Sequence, residues 1–229
     1  MERILRSGPL RILLDSRLAT EPEAGWFDPD WWRARDAVLA ELGGRGQALA
    51  VESPMGQAVL RTYHRGGMIR HLSESSYVYT GAGRTRPFAE WRVTCRLLEA
   101  GLPVPEPLAA AFARKGLFYS GALLTRRIPD AEPLTKAAVR MQSADWRRLG
   151  EMLGKATRAG LRHPDLNAGN ILLDHRGKFW LLDFDRARIV DHAADSAIDP
   201  GPMIARLQRS MRKLGIEHDE QALWKVVRD

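Results

Sequence analysis

The sequence predicts an α+β protein of two lobes, and three patterns support this. Short apolar runs separated by turn-forming residues dominate residues 47–125, as is typical of paired antiparallel strands. A proline-rich connector at 102–107 follows the one clear helix of this part. Apolar residues recur at helical spacing from residue 143 onward. We therefore expect a small antiparallel-sheet lobe with one key helix at 1–125 and a reduced, mainly helical lobe at 126–229.

The first lobe is predicted from strand-like runs on either side of one helix. Its strands are expected at residues 47–51, 57–63, 109–112 and 117–125. Proline is tolerated in the first turn of a helix and glycine commonly terminates one, so Pro87 and Gly101 mark the ends of a helix at 87–100. Helical spacing places one set of residues on the buried face of this helix: Phe88, Trp91, Cys95 and Leu98.

The second lobe is predicted from a change in periodicity. Two short apolar runs, 171–173 and 179–182, predict a β-hairpin, and residues 202–227 predict one or two helices. A longer helix is expected to begin at Ser143 and to end at Gly160. Its apolar residues recur every three or four positions: Trp146, Leu149, Leu153 and Ala156.

Composition limits the partner and the compartment. The 229-residue chain has a formal net charge of +7 and a single cysteine, Cys95. One cysteine cannot form an internal disulfide, which favours a reducing, cytoplasmic compartment. Charged residues interrupt the apolar N-terminus, and no run reaches the ~18 apolar residues of a membrane span. The positive charge predicts an anionic partner but does not distinguish nucleic acid, an anionic membrane surface and an anionic substrate.

A carboxylate, an amide and a second carboxylate are spaced as phosphoryl transfer requires. Asn170 follows Asp165 by five positions, and Asp183 follows Asn170 by thirteen. A hairpin between Asn170 and Asp183 would return the chain to the same edge, so the three side chains are expected to lie together. There Asp165 would accept the proton of an alcohol, while Asn170 and Asp183 would bind Mg²⁺. This combination predicts an ATP-dependent kinase, in which His163 is either a scaffold or a direct participant.

The nucleotide phosphates need a cation, and the strand at 57–63 offers one. Kinases place a lysine at the position that Arg61 occupies here. A guanidinium binds phosphate with a fork geometry, whereas a lysine acts as a point charge. Glu90, on the helix that follows, is the expected partner of Arg61.

Two weaker features complete the predicted nucleotide site. Other cations that would serve in place of Arg61 lie close by in the sequence: Arg65, Arg70 and His71. Glycines precede the first predicted strand, and glycine allows a backbone to approach phosphates closely. Gly44 and Gly46 are therefore candidates to cover the nucleotide phosphates.

Five segments carry a family resemblance, and they lie at 65–67, 85–90, 101–105, 163–173 and 182–186. The segment around Asp165 is shared with many kinases. The Arg-Gly-Gly at 65–67 and the Asp-Phe-Asp-Arg at 183–186 are more restrictive. Together the segments resemble one family, the bacterial 3-deoxy-D-manno-octulosonic acid (Kdo) kinases, which are related to the heptose kinases of the lipopolysaccharide core. The likeness runs from about residue 40 to residue 215.

The resemblance implies a bilobal, protein-kinase-like fold and an enzyme that uses ATP and Mg²⁺. It implies transfer of the γ-phosphate to a hydroxyl of Kdo, the 4-OH in that family, on a lipid A precursor. Asp165 matches the family's catalytic aspartate, and Asn170 and Asp183 match metal-binding positions. The implied partners are a lipid-linked anionic sugar and an anionic membrane surface, with no nucleic acid. The implied location is the cytoplasmic face of the Gram-negative inner membrane, to which the protein would bind peripherally.

Contacts to the acceptor are assigned from the same resemblance. The candidates are Arg65, Arg86 and Arg186. The chain departs from its relatives at His71, where several have lysine, and at Thr157, where histidine is common. These departures concern the acceptor contacts more than the phosphate chemistry.

A basic run near the C-terminus has two interpretations. The run lies on a predicted helix and contains Arg206, Arg209, Arg212 and Lys213. A basic amphipathic helix can rest on an anionic bilayer. The alternative is a solvated charged face over an apolar stripe that packs in the core.

Other functions fit parts of the sequence. One is a kinase of another alcohol, such as a heptose or an aminoglycoside-like antibiotic; aminoglycosides are cations, so the arginine content favours an anionic acceptor. Another is a non-catalytic pseudokinase or basic scaffold, which the arginine at position 61 favours and the intact catalytic set opposes. No Ala-Pro-Glu element follows Asp185, which favours a small-molecule acceptor over a protein.

Overall fold

The computed structural model describes residues 1–42, 48–63, 77–190, 199 and 201–228. Over these residues the chain is an α+β protein with a large antiparallel sheet. It divides into two units, each with its own hydrophobic core. The N-terminal unit comprises residues 1–92 and 106–127, and the C-terminal unit comprises residues 93–105 and 128–229.

One antiparallel sheet makes up most of the N-terminal unit. Its strands are β1 (Glu2–Ser7), β2 (Leu10–Asp15), β3 (Val38–Leu42), β4 (Ala48–Ser53), β5 (Gly56–Thr62), β6 (Tyr77–Val78), β7 (Pro107–Lys115) and β8 (Phe118–Arg126). Within the described ranges the strand order is β1-β2-β7-β8-β5-β4-β3, and β6 also pairs with β8. Helix α1 (Pro29–Arg33) and the first half of α2 (Arg86–Glu99) also belong to this unit.

The predicted strands are present, and the structure adds four more to the described part of this sheet. Strands β4 and β5 form the expected hairpin, β7 extends beyond both of its predicted ends, and β8 lies within one residue of its predicted bounds. Strands β1, β2, β3 and the two-residue β6 were not predicted. Strand β1 is a mostly exposed edge strand with several charged side chains, which discourage pairing with other chains. Because it has no buried face, its sequence does not show the apolar alternation that predicts a strand. Its neighbour β2 buries Ile12, Leu13 and Leu14 in succession, so it lacks the alternation as well.

Helix α2 begins and ends close to the predicted residues, but its buried face differs. Gly101 has a φ of 69°, and Leu102 N donates to Leu97 O at 3.0 Å, so a left-handed glycine terminates the helix as expected. Leu97 is fully buried, whereas Leu98 is 41% exposed. The prediction that Leu98 faces the core was therefore wrong, because the buried residues after Trp91 recur every three positions, at Thr94 and Leu97.

The C-terminal unit combines helices with short strands around a second core. Its elements in chain order are β9 (Ala131–Pro133), α3 (Leu134–Ala137), α4 (Ser143–Arg158), β10 (Leu161–Arg162), β11 (Ile171–Asp174), β12 (Phe179–Leu181), β13 (Arg188–Ile189), α5 (Gly201–Lys213) and α6 (Glu220–Arg228). Strand β11 pairs with β12 and β9, and β10 pairs with β13. None of the helices in the described ranges is long and apolar enough to cross a membrane.

Helix α4 forms the centre of this core. Its predicted apolar face is buried, and Trp146 and Leu153 on it are 3% and 1% exposed. A Cβ at Gly150 would lie 2.3 Å from the backbone oxygen of Leu223, so α4 and α6 approach each other backbone to backbone. Gly160 has a φ of 83° and ends the helical segment where the sequence predicts.

A buried histidine joins the end of β12 to the loop after β10. His163 is 2% exposed, and its Nε2 donates to the backbone oxygen of Leu182 at 3.2 Å. Its ring packs against Phe184 at a centroid distance of 5.5 Å. The Nδ1 atom is buried and has no hydrogen-bond partner among the described residues. Burial therefore lowers the pKa of His163 below its ordinary value of 6.5. The ring connects the two segments through its hydrogen bond and its packing.

We expect protonation of His163 to destabilise the C-terminal unit. The pKa of His163 is lower in the folded chain than in the unfolded chain, so the unfolded chain binds more protons at mildly acidic pH. The contribution of the neutral ring is fully present above pH 6.5 and is lost as the pH falls below that value. In His163→Gln the amide can donate the same hydrogen bond but does not titrate. Thermal unfolding between about pH 5 and pH 7 should show a smaller acid destabilisation in this variant, and parallel curves would contradict the assignment.

Candidate active site

The loop between β10 and β11 carries two of the predicted catalytic residues. The side-chain amides of Asn167 and Asn170 both donate to the backbone oxygen of Asp165, at 3.0 and 3.2 Å. Asn167 Oδ1 also accepts a hydrogen bond from Gly169 N at 2.8 Å. The loop is thus folded around Asp165 by its own side chains. The Asp165 side chain is 41% exposed, as a base that must meet a substrate requires.

The hairpin of β11 and β12 brings Asp183 to this loop. Leu182 N donates to the backbone oxygen of Asn170 at 2.9 Å, so the residues flanking the hairpin lie side by side. Asp183 has a φ of 63°, a left-handed conformation that aspartate tolerates better than most residues. Phe184 then returns to the core and is 1% exposed. The hairpin predicted between Asn170 and Asp183 is present and brings the two residues together.

Asn170 and Asp183 provide the oxygen donors that Mg²⁺ prefers. Because Nδ2 of Asn170 donates to Asp165, the Oδ1 of the same amide points away from that bond. In the part of the chain that the structure describes, no group of three or more His, Cys, Asp or Glu side chains could hold a metal. Mg²⁺ in phosphoryl transfer usually binds one or two carboxylates and completes its octahedron with water and phosphate oxygens. A pair of protein ligands therefore fits such an ion.

Two arginines flank the carboxylate of Asp165. Arg206 Nη2 lies 3.4 Å from Oδ1, and Arg186 Nε lies 3.7 Å from Oδ2. Their side chains are 47% and 66% exposed, and exposed pairs of this kind contribute only about 0–1 kcal/mol to stability. The sequence predicts Arg186 near the acceptor, and the structure places it beside Asp165. Sequence reasoning did not assign Arg206 to this site.

Helix α5 is held against the same loop. The hydroxyl of Ser210 accepts a hydrogen bond from Ala168 N at 3.1 Å. Arg206 precedes Ser210 by four positions, so the two residues share a helix face. The i, i+4 spacing places Arg206 on the same side as Ser210, but the contact of Ser210 with the loop is known only from the structure.

The apolar stripe of α5 packs into the core. Met203, Leu207 and Met211 are 6%, 0% and 0% exposed, so they are not available to a bilayer. The apolar stripe therefore belongs to the core, and contact of the basic face with an anionic bilayer stays a prediction. The basic side chains of Arg209, Arg212 and Lys213 are exposed.

A buried ion pair lies in the N-terminal unit at the residues predicted to bind nucleotide. Arg61 Nη2 donates to Glu90 Oε2, as the sequence predicts for this pair. Glu90 is 3% exposed, and the Arg61 side chain is 26% exposed. Strand β5 supplies the arginine and α2 supplies the carboxylate, so the ion pair joins the helix to the sheet.

Tyr63 is the third member of this cluster, and sequence reasoning missed it. Its hydroxyl donates to Glu90 Oε2 and accepts from Arg61 Nη2 at 3.2 Å. Burial, together with the negative charge of Glu90, raises the pKa of Tyr63 well above 10.0, so the hydroxyl stays protonated. Tyr63 follows Arg61 by two positions, and alternate residues of a strand share a face. This spacing is the signal that would have found it.

The remaining predicted residues fall in two groups. The guanidinium of Arg86 lies 4.7 Å from the ring centroid of Tyr77 and 5.9 Å from that of Tyr63, so it neighbours the Arg61 cluster. The other candidates lie outside the described residues: Gly44, Gly46, Arg65, Arg70 and His71.

Comparison with known proteins gives consistent matches. The model of the lipopolysaccharide kinase (Kdo/WaaP) family matches residues 29–226. The 3-deoxy-D-manno-octulosonic acid kinase of Xanthomonas campestris pv. campestris (strain B100) is 44% identical over 204 residues, which are 89% of this chain and 80% of that protein. The protein of the same name in Xanthomonas axonopodis pv. citri (strain 306) is 46% identical over 176 residues, or 76% of this chain and 70% of that protein.

A third relative extends the match along the chain. The 3-deoxy-D-manno-octulosonic acid kinase of Xylella fastidiosa (strain 9a5c) is 41% identical over 216 residues, which are 93% of this chain and 85% of that protein. The region matched by the family model contains Arg61, Glu90, Asp165, Asn170 and Asp183. The chain therefore belongs to the Kdo/WaaP lipopolysaccharide kinase family.

Proposed function

We propose that the chain is a Kdo kinase of lipopolysaccharide core biosynthesis, which transfers the γ-phosphate of ATP to the 4-OH of Kdo on a lipid A precursor. The observation that carries the proposal is the grouping of Asp165, Asn170 and Asp183 on one loop and hairpin, in a chain related to Kdo kinases. The two units correspond, in this proposal, to the lobes of a bilobal protein-kinase-like fold.

The chemistry assigns a role to each of these residues. Asp165 accepts the proton of the acceptor hydroxyl, and the side-chain bonds of Asn167 and Asn170 to its backbone oxygen hold it in place. Asn170 and Asp183 hold Mg²⁺, which when bound neutralises phosphate charge during transfer. Phosphoryl transfer needs little covalent help from a protein, so positioning and electrostatics suffice.

Arg61 neutralises the phosphates of ATP in the place where other kinases use lysine. A guanidinium presents five donors, so it can bind Glu90, Tyr63 and a phosphate oxygen at once. Glu90 and Tyr63 fix its orientation from the buried side. In other kinases the lysine at this position pairs with a glutamate of the following helix, and Arg61 pairs with Glu90 in the same way. This arrangement supports a working kinase over a pseudokinase.

The protein acts, in this proposal, at the cytoplasmic face of the inner membrane, where its acceptor is a lipid-linked anionic sugar. The net charge of +7 and the exposed Arg209, Arg212 and Lys213 support peripheral contact with an anionic surface. This contact is electrostatic and does not involve insertion of α5, whose apolar side chains are buried.

The acceptor is tested by direct competition among candidates. Purified protein is incubated with γ-labelled ATP and Mg²⁺ beside a Kdo-lipid A precursor, a heptosylated acceptor and an aminoglycoside. Label in the Kdo-bearing lipid supports the proposal. Label in another acceptor supports the kinase of a different alcohol, and no label in any acceptor, with ATP still bound, supports the pseudokinase.

Replacing the two carboxylates should separate chemistry from metal binding. Asp165→Asn should lower kcat by at least ~100-fold, because the proton acceptor is lost, while ATP binding survives. Asp183→Asn should also lose the Mg²⁺ dependence of ATP binding. Steady-state kinetics and equilibrium ATP binding with and without Mg²⁺ measure both effects.

Asp174 provides a matched control on the same hairpin. Its carboxylate accepts from Trp180 Nε1 and from the backbone of Arg176 and Lys178, all at 2.9 Å, and so stabilises the turn. Asp174→Asn should lower the unfolding temperature yet keep near-normal turnover per folded molecule. Near-normal turnover of Asp165→Asn or Asp183→Asn would show that the catalytic assignment is wrong.

The Arg61 cluster should govern the use of ATP. Arg61→Ala should raise the KM for ATP by about 10- to 100-fold, the range of a lost charge-assisted hydrogen bond. Arg61→Lys should keep part of the activity, and Tyr63→Phe should act in the same direction as Arg61→Ala but less strongly. Arg92→Ala removes a more exposed arginine–glutamate pair, with Glu2, on the same helix and should leave the KM for ATP unchanged. Equal effects of Arg61→Ala and Arg92→Ala would refute a phosphate role for Arg61.

A further inference from the structure

Two arginines, Arg186 and Arg206, lie beside the carboxylate of Asp165. The roles proposed above for proton transfer and metal binding do not use them. Arg186 follows the segment of Asp183 directly in the chain, whereas Arg206 comes from α5. They meet different oxygens of the same carboxylate, at 3.7 and 3.4 Å. Two distant parts of the chain therefore place a positive charge at one point.

The position of Arg206 is fixed by the packing of its helix. Met203 and Leu207, which flank it, are buried, and the bond of Ser210 to Ala168 N holds the next turn of α5 against the loop. The N-terminal end of the helix is held as well, because Arg162 Nη1 donates to the backbone oxygen of Asp199 at 2.6 Å. Arg206 thus lies beside Asp165 because the fold places its helix there.

Neither guanidinium is fully used by Asp165. A charge-assisted bond between a guanidinium and a carboxylate is usually about 2.7–2.9 Å long, and both distances here are greater. Each guanidinium carries five N–H donors in a planar fork that matches a carboxylate. Both side chains are at least 47% exposed, so solvent and ligand can reach them. The pair is suited to bind a second carboxylate close to the base.

We propose that Arg186 and Arg206 bind the carboxylate of the acceptor and thereby select a sugar acid over a neutral sugar. The inference rests on the proposed function, since it takes Asp165 as the base for the acceptor hydroxyl. Groups that contact the base are within reach of the sugar that carries this hydroxyl. A carboxylate on that sugar draws both guanidinium groups toward itself and leaves the oxygens of Asp165 to the hydroxyl proton. A neutral sugar leaves the arginines on Asp165, where they compete with that proton.

The test combines variants of the protein with a change in the acceptor. The acceptors are Kdo-lipid A in detergent micelles and the same molecule with its carboxylate reduced to a hydroxymethyl group. For the native protein, reduction should lower kcat/KM by about 10- to 100-fold, the range for a lost charge-assisted contact. On Kdo-lipid A, Arg206→Gln and Arg186→Gln should each lower kcat/KM by much of that factor. On the reduced acceptor they should lower kcat/KM little, because this acceptor has no carboxylate for the arginine to contact. The KM for ATP should stay unchanged throughout.

Two further variants serve as controls. Arg176→Gln changes an exposed arginine of the same unit, at the turn between β11 and β12. This variant should behave as the native protein with both acceptors, and thermal unfolding of every variant checks that it is folded. Arg206→Lys keeps the charge without the fork and should recover part of the lost kcat/KM.

The outcomes separate this inference from the proposed function. Equal losses by Arg206→Gln on both acceptors would show that the arginine serves Asp165 alone, and a raised KM for ATP would show that it serves the phosphates; either result overturns the inference and leaves the kinase intact. If the native protein phosphorylates neither acceptor while it still binds ATP, the proposed function itself fails and the inference fails with it.

Discussion

The hydrogen bond from Leu182 N to the backbone oxygen of Asn170 determines where the chemical groups of the C-terminal unit lie. It closes the hairpin of β11 and β12 at its open end, so residues separated by the whole hairpin become neighbours. His163 donates to the backbone oxygen of the same Leu182 and adds the loop after β10 to this junction. Backbone hydrogen bonds of this kind do not depend on charge, so they hold Asp165 and Asp183 near each other despite their mutual repulsion.

The N-terminal unit solves a different problem, which is to keep an arginine in a partly buried place. A buried carboxylate with one partner removed is strongly unfavourable, and Glu90 is almost fully buried. Tyr63 supplies a second donor to Glu90, and burial keeps that donor protonated. The ring of Tyr63 also lies 4.9 Å from the guanidinium of Arg61. The tyrosine therefore stabilises both members of the ion pair.

Sequence predicted the parts of the molecule that depend on local pattern. The hairpin beside Asn170, the glycine that ends α2 and the apolar face of α4 all follow from residue spacing within one element. The pairing of Arg61 with Glu90, which are 29 positions apart, was also predicted, because kinases place a phosphate-binding cation on this strand and its partner glutamate on the helix that follows. Strand β1 was not predicted, since an exposed edge strand with charged side chains has no apolar alternation to detect.

The contacts that sequence could not supply join elements far apart in the chain. Arg206 lies beside Asp165 only because Ser210 bonds to the loop, and no periodicity within α5 encodes that contact. The basic face of α5 was predicted, but the different positions of its arginines were not. Arg206 contacts the carboxylate of Asp165, while Arg209 and Arg212 face solvent.

The net charge of +7 says less about the ligand than the positions of the individual arginines do. As a total, it predicts an anionic partner of any kind, because Coulomb attraction between exposed groups is weak and screened in water. At Asp165, two guanidinium groups lie within 4 Å of one carboxylate, so their charges act at short range on that group and on any ligand beside it. Charges at that distance can distinguish a ligand with a carboxylate from one without it, whereas the exposed charges of Arg209, Arg212 and Lys213 attract any anionic surface. The position of each arginine therefore indicates more about the acceptor than the total charge does.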